Sequence, residues 1–286
     1  MTTHNVNSMR ASVWSRHAGQ WSRLGSPLRP SAEDINGYER VVRRWARDCG
    51  QPRIALWGVT PEIVEMPLPD RAHIVAIDSC MAMLELFPPA SRRPGAGGIC
   101  ADWRRLPLAA GSRDIVLGDG CFVLANYPDG FRNLARVLRR VLAPAGVCAF
   151  RFFLRAEPAE SINDLVADLR AGLVGSFHAF KLRAAMALQE APEQGIAVGR
   201  VFDWWSQSRI KPEDLTAQYG WRPETIATIE AYRDRQDVYT FPTLAELRRA
   251  WGDLLVEVAC RFPGYELGER CPLIELRPNG QTKEQQ

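Results

Sequence analysis

Five short apolar runs, starting 17 to 33 residues apart between residues 53 and 154, constrain this chain more than any other feature. They read RIALWGV from Arg53, HIVAIDS from His73, GGICAD from Gly97, DIVLGDG from Asp114 and VCAFRFFL from Val147. The runs are apolar throughout rather than alternating, as expected of strands covered on both faces. Between the fourth and fifth, Phe131, Leu134, Val137, Leu138 and Val141 place an apolar stripe on one helical face, with Pro144 and Gly146 expected to stop the helix. Strand, helix, strand at this spacing predicts a parallel sheet with helices on both sides.

The flanking segments read differently. Residues 1–50 form an N-terminal arm and helix. Ser31 is the expected N-cap, with Asp34 reciprocal to it, and Ile35, Tyr38, Val41 and Trp45 recur at helical spacing up to Gly50. Residues 51–156 form the α/β core. Residues 157–250 form a helical insert, punctuated by Pro192, Pro212, Pro223 and Pro242 and too long for a plain loop. It is expected to cover an edge or the mouth of the sheet. Residues 251–278 return to two strands, LLVEVACRF and CPLIELRP, joined as an antiparallel hairpin. Residues 279–286 are a polar tail. The predicted fold class is α/β: a doubly wound, mostly parallel seven-stranded sheet with an antiparallel C-terminal hairpin, an N-terminal helical arm and a helical insert.

A doubly wound sheet binds its ligand outside the carboxyl ends of its strands, near the switch in strand order. The residues there are Gly58-Val59-Thr60-Pro61-Glu62, Asp78 with Ser79 and Met81, Asp102-Trp103, and Asp119-Gly120-Cys121-Phe122. Each acid also has a plain structural use: Asp78 and Asp102 as caps or turn formers, Asp119 as the anchor of its loop.

The stretch ICADWRRLPL followed by RDIVLGDG, the acids ending the second and third strands, and the terminal hairpin CRFPGYELGERCPLIEL resemble class I S-adenosylmethionine-dependent methyltransferases. The resemblance covers roughly residues 50–155 and 254–278. It implies S-adenosyl-L-methionine as cofactor, with Asp78 accepting from the ribose diol, Asp102 from the adenine amino group, and Asp119 facing the methyl donor or the acceptor as a candidate catalytic group. It also implies that Gly58, Thr60, Ser79, Met81 and Trp103 line the cofactor. The first loop departs from the family's glycine-rich turn: ALWGVTPEI keeps only Gly58, and Pro61 removes an N–H donor. A helix starting at Pro61 with Thr60 as N-cap compensates in part. The N-terminal arm is expected to supply further contacts, with Arg29 pairing either with the cofactor's carboxylate or with a surface acid. Trp14, Trp21, Trp204 and Trp205 serve as packing or as substrate platforms, and His17 and His178 as structural groups or bases.

Composition narrows the function. A net charge of +3 gives no electrostatic case for nucleic acid or an anionic membrane, and no [DNS]-P-P-[YF] tetrad follows the fourth strand. Seven cysteines without a C-x-x-C pair argue against a disulfide framework or a zinc site, and the N-terminus lacks an apolar signal-peptide core. No G-x-S-x-G elbow supports a hydrolase and no G-x-G-x-x-G a nicotinamide enzyme. Only Lys181, Lys211 and Lys283 are lysines, an arginine bias that reads as a GC-rich bacterial genome. The expectation is a cytoplasmic methyltransferase acting on an O or N atom of a small molecule, with no nucleic-acid or membrane partner and with homodimerisation left open. The alternative is a catalytically silent, methyltransferase-like binding or regulatory subunit.

Overall fold

The computed structural model describes residues 19–280; His17 and Trp14 lie outside the described residues. The five apolar runs are the parallel strands β1 (Arg53–Trp57), β2 (His73–Asp78), β3 (Gly97–Cys100), β4 (Arg113–Asp119) and β5 (Leu142–Arg151). Two short strands of the insert, β6 (Ile196–Ala197) and β7 (Val238–Tyr239), pair with each other, and the chain ends in β8 (Leu255–Arg261) and β9 (Leu273–Pro278). The seven-stranded sheet runs β3-β2-β1-β4-β5-β9-β8, with β9 antiparallel to both β5 and β8. The order reverses between β1 and β4, so a crevice opens beyond their carboxyl ends.

Helices cover both faces because the strands are apolar on both. On β1, Ile54 and Leu56 face one core with Tyr38, Val41 and Val42 of α1 (Ala32–Cys49). Ala55 and Trp57 face the other, against Phe131, Leu134 and Leu138. The Ser31–Asp34 capping box forms as expected, and Gly50 ends α1 at φ +90°. Short helices α2 (Pro61–Glu65), α3 (Met81–Leu86) and α4 (Pro89–Arg92) follow β1 and β2. Helix α5 (Asp129–Val141) buries the predicted stripe but ends three residues before Pro144. The chain passes directly into β5 at Leu142, so Pro144 and Gly146 lie inside a strand and do not stop the helix.

The insert comprises α6 (Ile162–Arg170), α7 (Phe177–Ala187), α8 (Val198–Gln207), α9 (Pro212–Tyr219) and α10 (Pro223–Ile226). A further helix, α11 (Leu244–Trp251), starts at the Thr243–Glu246 capping box and joins the sheet core. The insert has an aromatic core of its own around Phe177, Phe180, Trp205 and Trp221, with Trp204 packed against it. Trp204 and Trp205 are thus packing residues. The insert sits over the mouth of the sheet, tied there by the Thr240 N–H to the Val123 carbonyl at 2.9 Å.

Candidate active site

At the mouth lies a cavity of about 410 Å³, within the range of about 300–1,000 Å³ usual for small-molecule sites. The loops after β1 to β4 line one side, with Gly58, Thr60, Asp78, Ser79, Asp102, Trp103 and Asp119 among them. The insert lines the other with Lys181, Tyr232, Tyr239 and Phe241. The arm closes a third side with Trp21, Leu24 and Leu28.

Asp78 ends β2 and is 9% exposed. It accepts the Cys80 backbone N–H at 2.8 Å, with the Val59 and Ser79 N–H groups also turned to it. Burial pushes its carboxyl up to about 6 against these backbone donors. It holds no ion pair among the described residues. The Cys80 N–H it accepts lies at the N-cap of α3, so the carboxylate also organises the start of that helix. Gly58 sits at φ +84°, a left-handed conformation that favours glycine. Thr60 is the N-cap of α2 and Pro61 its first residue, as expected, but the Thr60 hydroxyl makes no capping bond.

Asp102 caps the 3-10 turn Trp103–Arg105 by accepting the Arg104 N–H at 2.9 Å, and also takes a bidentate ion pair from Arg104. Trp103 stacks on the buried Trp57, rings 6.1 Å apart and 4° from parallel, and its indole N–H donates to the Ile77 carbonyl at 2.7 Å.

Asp119 is locked from below. Arg151, fully buried on β5, forms two bonds to it at 2.5 and 3.0 Å. The same guanidinium reaches the Pro27 carbonyl at 2.8 Å, the Tyr265 hydroxyl at 3.0 Å and Asp34 at 3.5 Å. Burial pushes the Asp119 carboxyl up and Arg151 pulls it back. Both oxygens are engaged, so Asp119 is poorly placed to act as a base.

Two predicted residues are not brought to the cavity. Arg29 pairs with Glu62 of α2 and lies 5.9 Å over the Trp21 ring. That carboxylate satisfies the guanidinium, which is the ion-pair alternative of the two left open for Arg29. Met81 opens α3, is 51% exposed and does not line the cavity. His178 is buried, pushed down to about 4 by desolvation and by Lys181, and its Nε2 donates to the Arg23 carbonyl at 3.1 Å; it does not line the cavity.

Lys181 is the site residue that sequence reasoning missed. It is 2% exposed, and its Nζ contacts the Thr228 hydroxyl at 3.1 Å and carbonyl at 3.5 Å, 4.8 Å from the Tyr232 ring centroid. Burial pushes it down to about 7. A lysine inside FHAFKLRAAMA, in a chain that otherwise uses arginine, was the available signal.

No family model and no curated protein sequence matches the chain. Solved structures do. A Rhodobacter sphaeroides protein bearing the name of a Zn-dependent alcohol dehydrogenase is 14% identical, covers 94% of this chain and 98% of its own, and superposes with a TM-score of 0.61. The 1,6-didemethyltoxoflavin-N1-methyltransferase of Burkholderia thailandensis, with bound 1,6-didemethyltoxoflavin and S-adenosylhomocysteine, is 13% identical over 98% of this chain and 92% of its own, with a TM-score of 0.52. A Haloferax volcanii protein bearing the name of a methyltransferase, in complex with the Trm112 methyltransferase activator, is 12% identical over 96% of this chain and 97% of its own, with a TM-score of 0.50. With the strand order and terminal hairpin, the two methyltransferase likenesses show that the chain has the class I methyltransferase fold. Among the described residues no three His, Cys, Asp or Glu side chains group to hold a metal ion, and no helix is long and apolar enough to cross a membrane.

Proposed function

We propose that the protein transfers a methyl group from S-adenosyl-L-methionine to an O or N atom of a small-molecule acceptor. The observation that carries this reading is Asp78: a buried carboxylate at the end of β2, lining a cavity at the switch point, with backbone donors but no cation among the described residues. A ribose diol supplies the missing donors. The other residues fit the same ligand. Gly58 leaves the first loop open toward the cavity, Trp103 offers an aromatic flank and Asp102 a carboxylate for the adenine amino group. The Burkholderia thailandensis neighbour, with S-adenosylhomocysteine bound, supports this use of the fold.

The cofactor, when bound, supplies a methyl group already activated on a sulfonium. The chain's own work is therefore positioning and exclusion of water. The insert and the Trp21–Leu28 segment wall the cavity on the sides the strand-end loops leave. The Arg151–Asp119 pair fixes the floor below the loop after β4. We assign Asp119 to positioning and not to base catalysis.

A silent binding subunit is the second reading, favoured by the first loop: only Gly58 remains of a glycine-rich turn, and the Val59 N–H turns to Asp78 rather than to a ligand. Thermal-shift titration with S-adenosylhomocysteine, with NAD as control, separates the two. Ligand at a hundred times its Kd adds about 2.7 kcal/mol of stability. A shift with S-adenosylhomocysteine alone is expected; no shift with either sinks the methyl-transfer reading.

A further inference from the structure

Lys181 stands on the acceptor side of the cavity with chemistry that the methyl-transfer reading leaves unused. Its surroundings are specific. The Thr228 hydroxyl donates to the Thr225 carbonyl at 2.7 Å, so toward Lys181 it acts as an acceptor. The Thr228 carbonyl is a second acceptor. An uncharged amine has two N–H bonds and one lone pair. Its two N–H bonds match these two acceptors, and the lone pair has no donor among the contacts of Nζ. Around it the cavity is aromatic. Tyr232 lies under Nζ, Tyr239 stands edge-on to Tyr232 with ring centroids 6.3 Å apart, and Phe241 and Phe153 complete the wall.

The titratable groups nearby do not hold Lys181 charged. His178, one turn back on α7, is itself uncharged near neutral pH. Tyr232 and Tyr239 are pushed up by burial and stay protonated. Asp237, on the segment entering β7, lines the cavity but makes no ion pair with Lys181 among the described residues, and desolvation alone accounts for the lowered lysine. The site therefore presents a buried proton acceptor beside flat aromatic walls.

We propose that the acceptor is a planar aromatic compound with an acidic hydroxyl group, and that Lys181 binds it by taking the hydroxyl proton. The O–H bond breaks, the proton joins the Nζ lone pair to make an ammonium, and the electron pair stays on oxygen as an aryloxide beside that ammonium. The aromatic side chains stack on or edge against its ring. This rests on the methyl-transfer reading of the same cavity and names its substrate class.

The probe is 4-nitrophenol, whose anion absorbs in the visible. Titrated into wild-type protein at neutral pH, where uncharged Lys181 and un-ionised probe coexist, it is expected to bind with its ionisation shifted toward the anion, so that the visible band grows on binding. Lys181→Met is expected to bind it at least tenfold more weakly, with no growth of that band. Lys181→Gln, which keeps a polar group toward Thr228, is expected to behave like the Met variant and covers a folding defect in either one. The wild-type ionisation shift requires no variant at all. No binding to wild type, binding without an ionisation shift, or equal affinity and equal band in the variants overturns the proposal. S-adenosylhomocysteine calorimetry on the same samples reads the parent reading separately: it is expected to bind wild type and variants alike, and its failure to bind wild type counts against methyl transfer whatever the probe does.

Discussion

Replacing Asp78 with Asn is expected to make the protein more stable at neutral pH and worse at binding its ligand. Burial raises the Asp78 carboxyl from 3.8 to about 6. Its folded value lies above its unfolded one, so the native state binds the extra proton between pH 3.8 and about 6, and stability falls as pH rises across that window. A shift of about 2 units is roughly 3 kcal/mol, lost in full above pH 6 and not at all below pH 3.8. Asn removes this penalty but serves the Cys80, Val59 and Ser79 N–H donors less well, which costs about 1–2 kcal/mol. The net expectation is a gain of about 1–2 kcal/mol at pH 8 that shrinks and reverses toward pH 4.5. Urea denaturation of both proteins at pH 8, 7, 5.5 and 4.5 measures it. In the same variant, loss of charged hydrogen bonds to a diol is expected to weaken S-adenosylhomocysteine binding roughly a hundredfold, about 3 kcal/mol. A stability difference that does not change with pH refutes the desolvation reasoning. Affinity within threefold of wild type refutes the ribose assignment.

Arg151→Met strands Asp119 and Asp34 in the interior without their cation. It is expected to lose about 3–5 kcal/mol at neutral pH, a fall in Tm of roughly 6–20 °C at about 2–4 °C per kcal/mol; calorimetry showing a loss under about 1 kcal/mol sinks the idea that the pair is integral to the fold. Lys181→Met has the opposite sign. The lysine lies at about 7 when folded and at an ordinary 10.5 when unfolded, so wild-type stability rises with pH between those values. The variant lacks that slope and is expected to gain on the order of 5 kcal/mol at or below pH 7, with the gain fading toward pH 10.5. Parallel denaturation profiles for the two proteins across pH 7–10 rule it out.

The strands, the α5 stripe, the capping boxes and the terminal hairpin were legible because each is a local pattern. Apolar runs bounded by turns, a 3.6-residue period and Ser or Thr three residues before an acid carry their own structural cause. The strand-end acids followed from topology, since any doubly wound sheet brings those positions together. Lys181 was not legible: ten of the eleven α7 residues are buried, so no apolar face marks which side meets the cavity. Arg151 sat in plain view inside VCAFRFFL, an arginine in a central strand that requires a buried counter-ion. Its partners come from β4 and α1, and no local pattern announces contacts of that range. The acid that Arg29 meets was hidden for the same reason, because Glu62 stands 33 residues away.

The first loop gains a physical explanation from its neighbours. In a glycine-rich turn, free N–H groups approach the ligand directly. Here the Val59 N–H is turned to Asp78, and the Gly58 N–H donates to the Ile77 carbonyl at 2.8 Å, a carbonyl that also receives the Trp103 indole. The loop thus joins the end of β2 to the turn after β3 through one shared acceptor. In this arrangement the loop fixes Asp78 and Trp103. Trp103 is held on its far face by Trp57, a fully buried residue of β1. A loop used this way tolerates Val and Pro where a ligand-cradling turn does not. The arm is part of the same wall through Trp21, Leu24 and Leu28. The first-loop hydrogen bonds and the arm's place in the wall are therefore parts of one arrangement around Asp78.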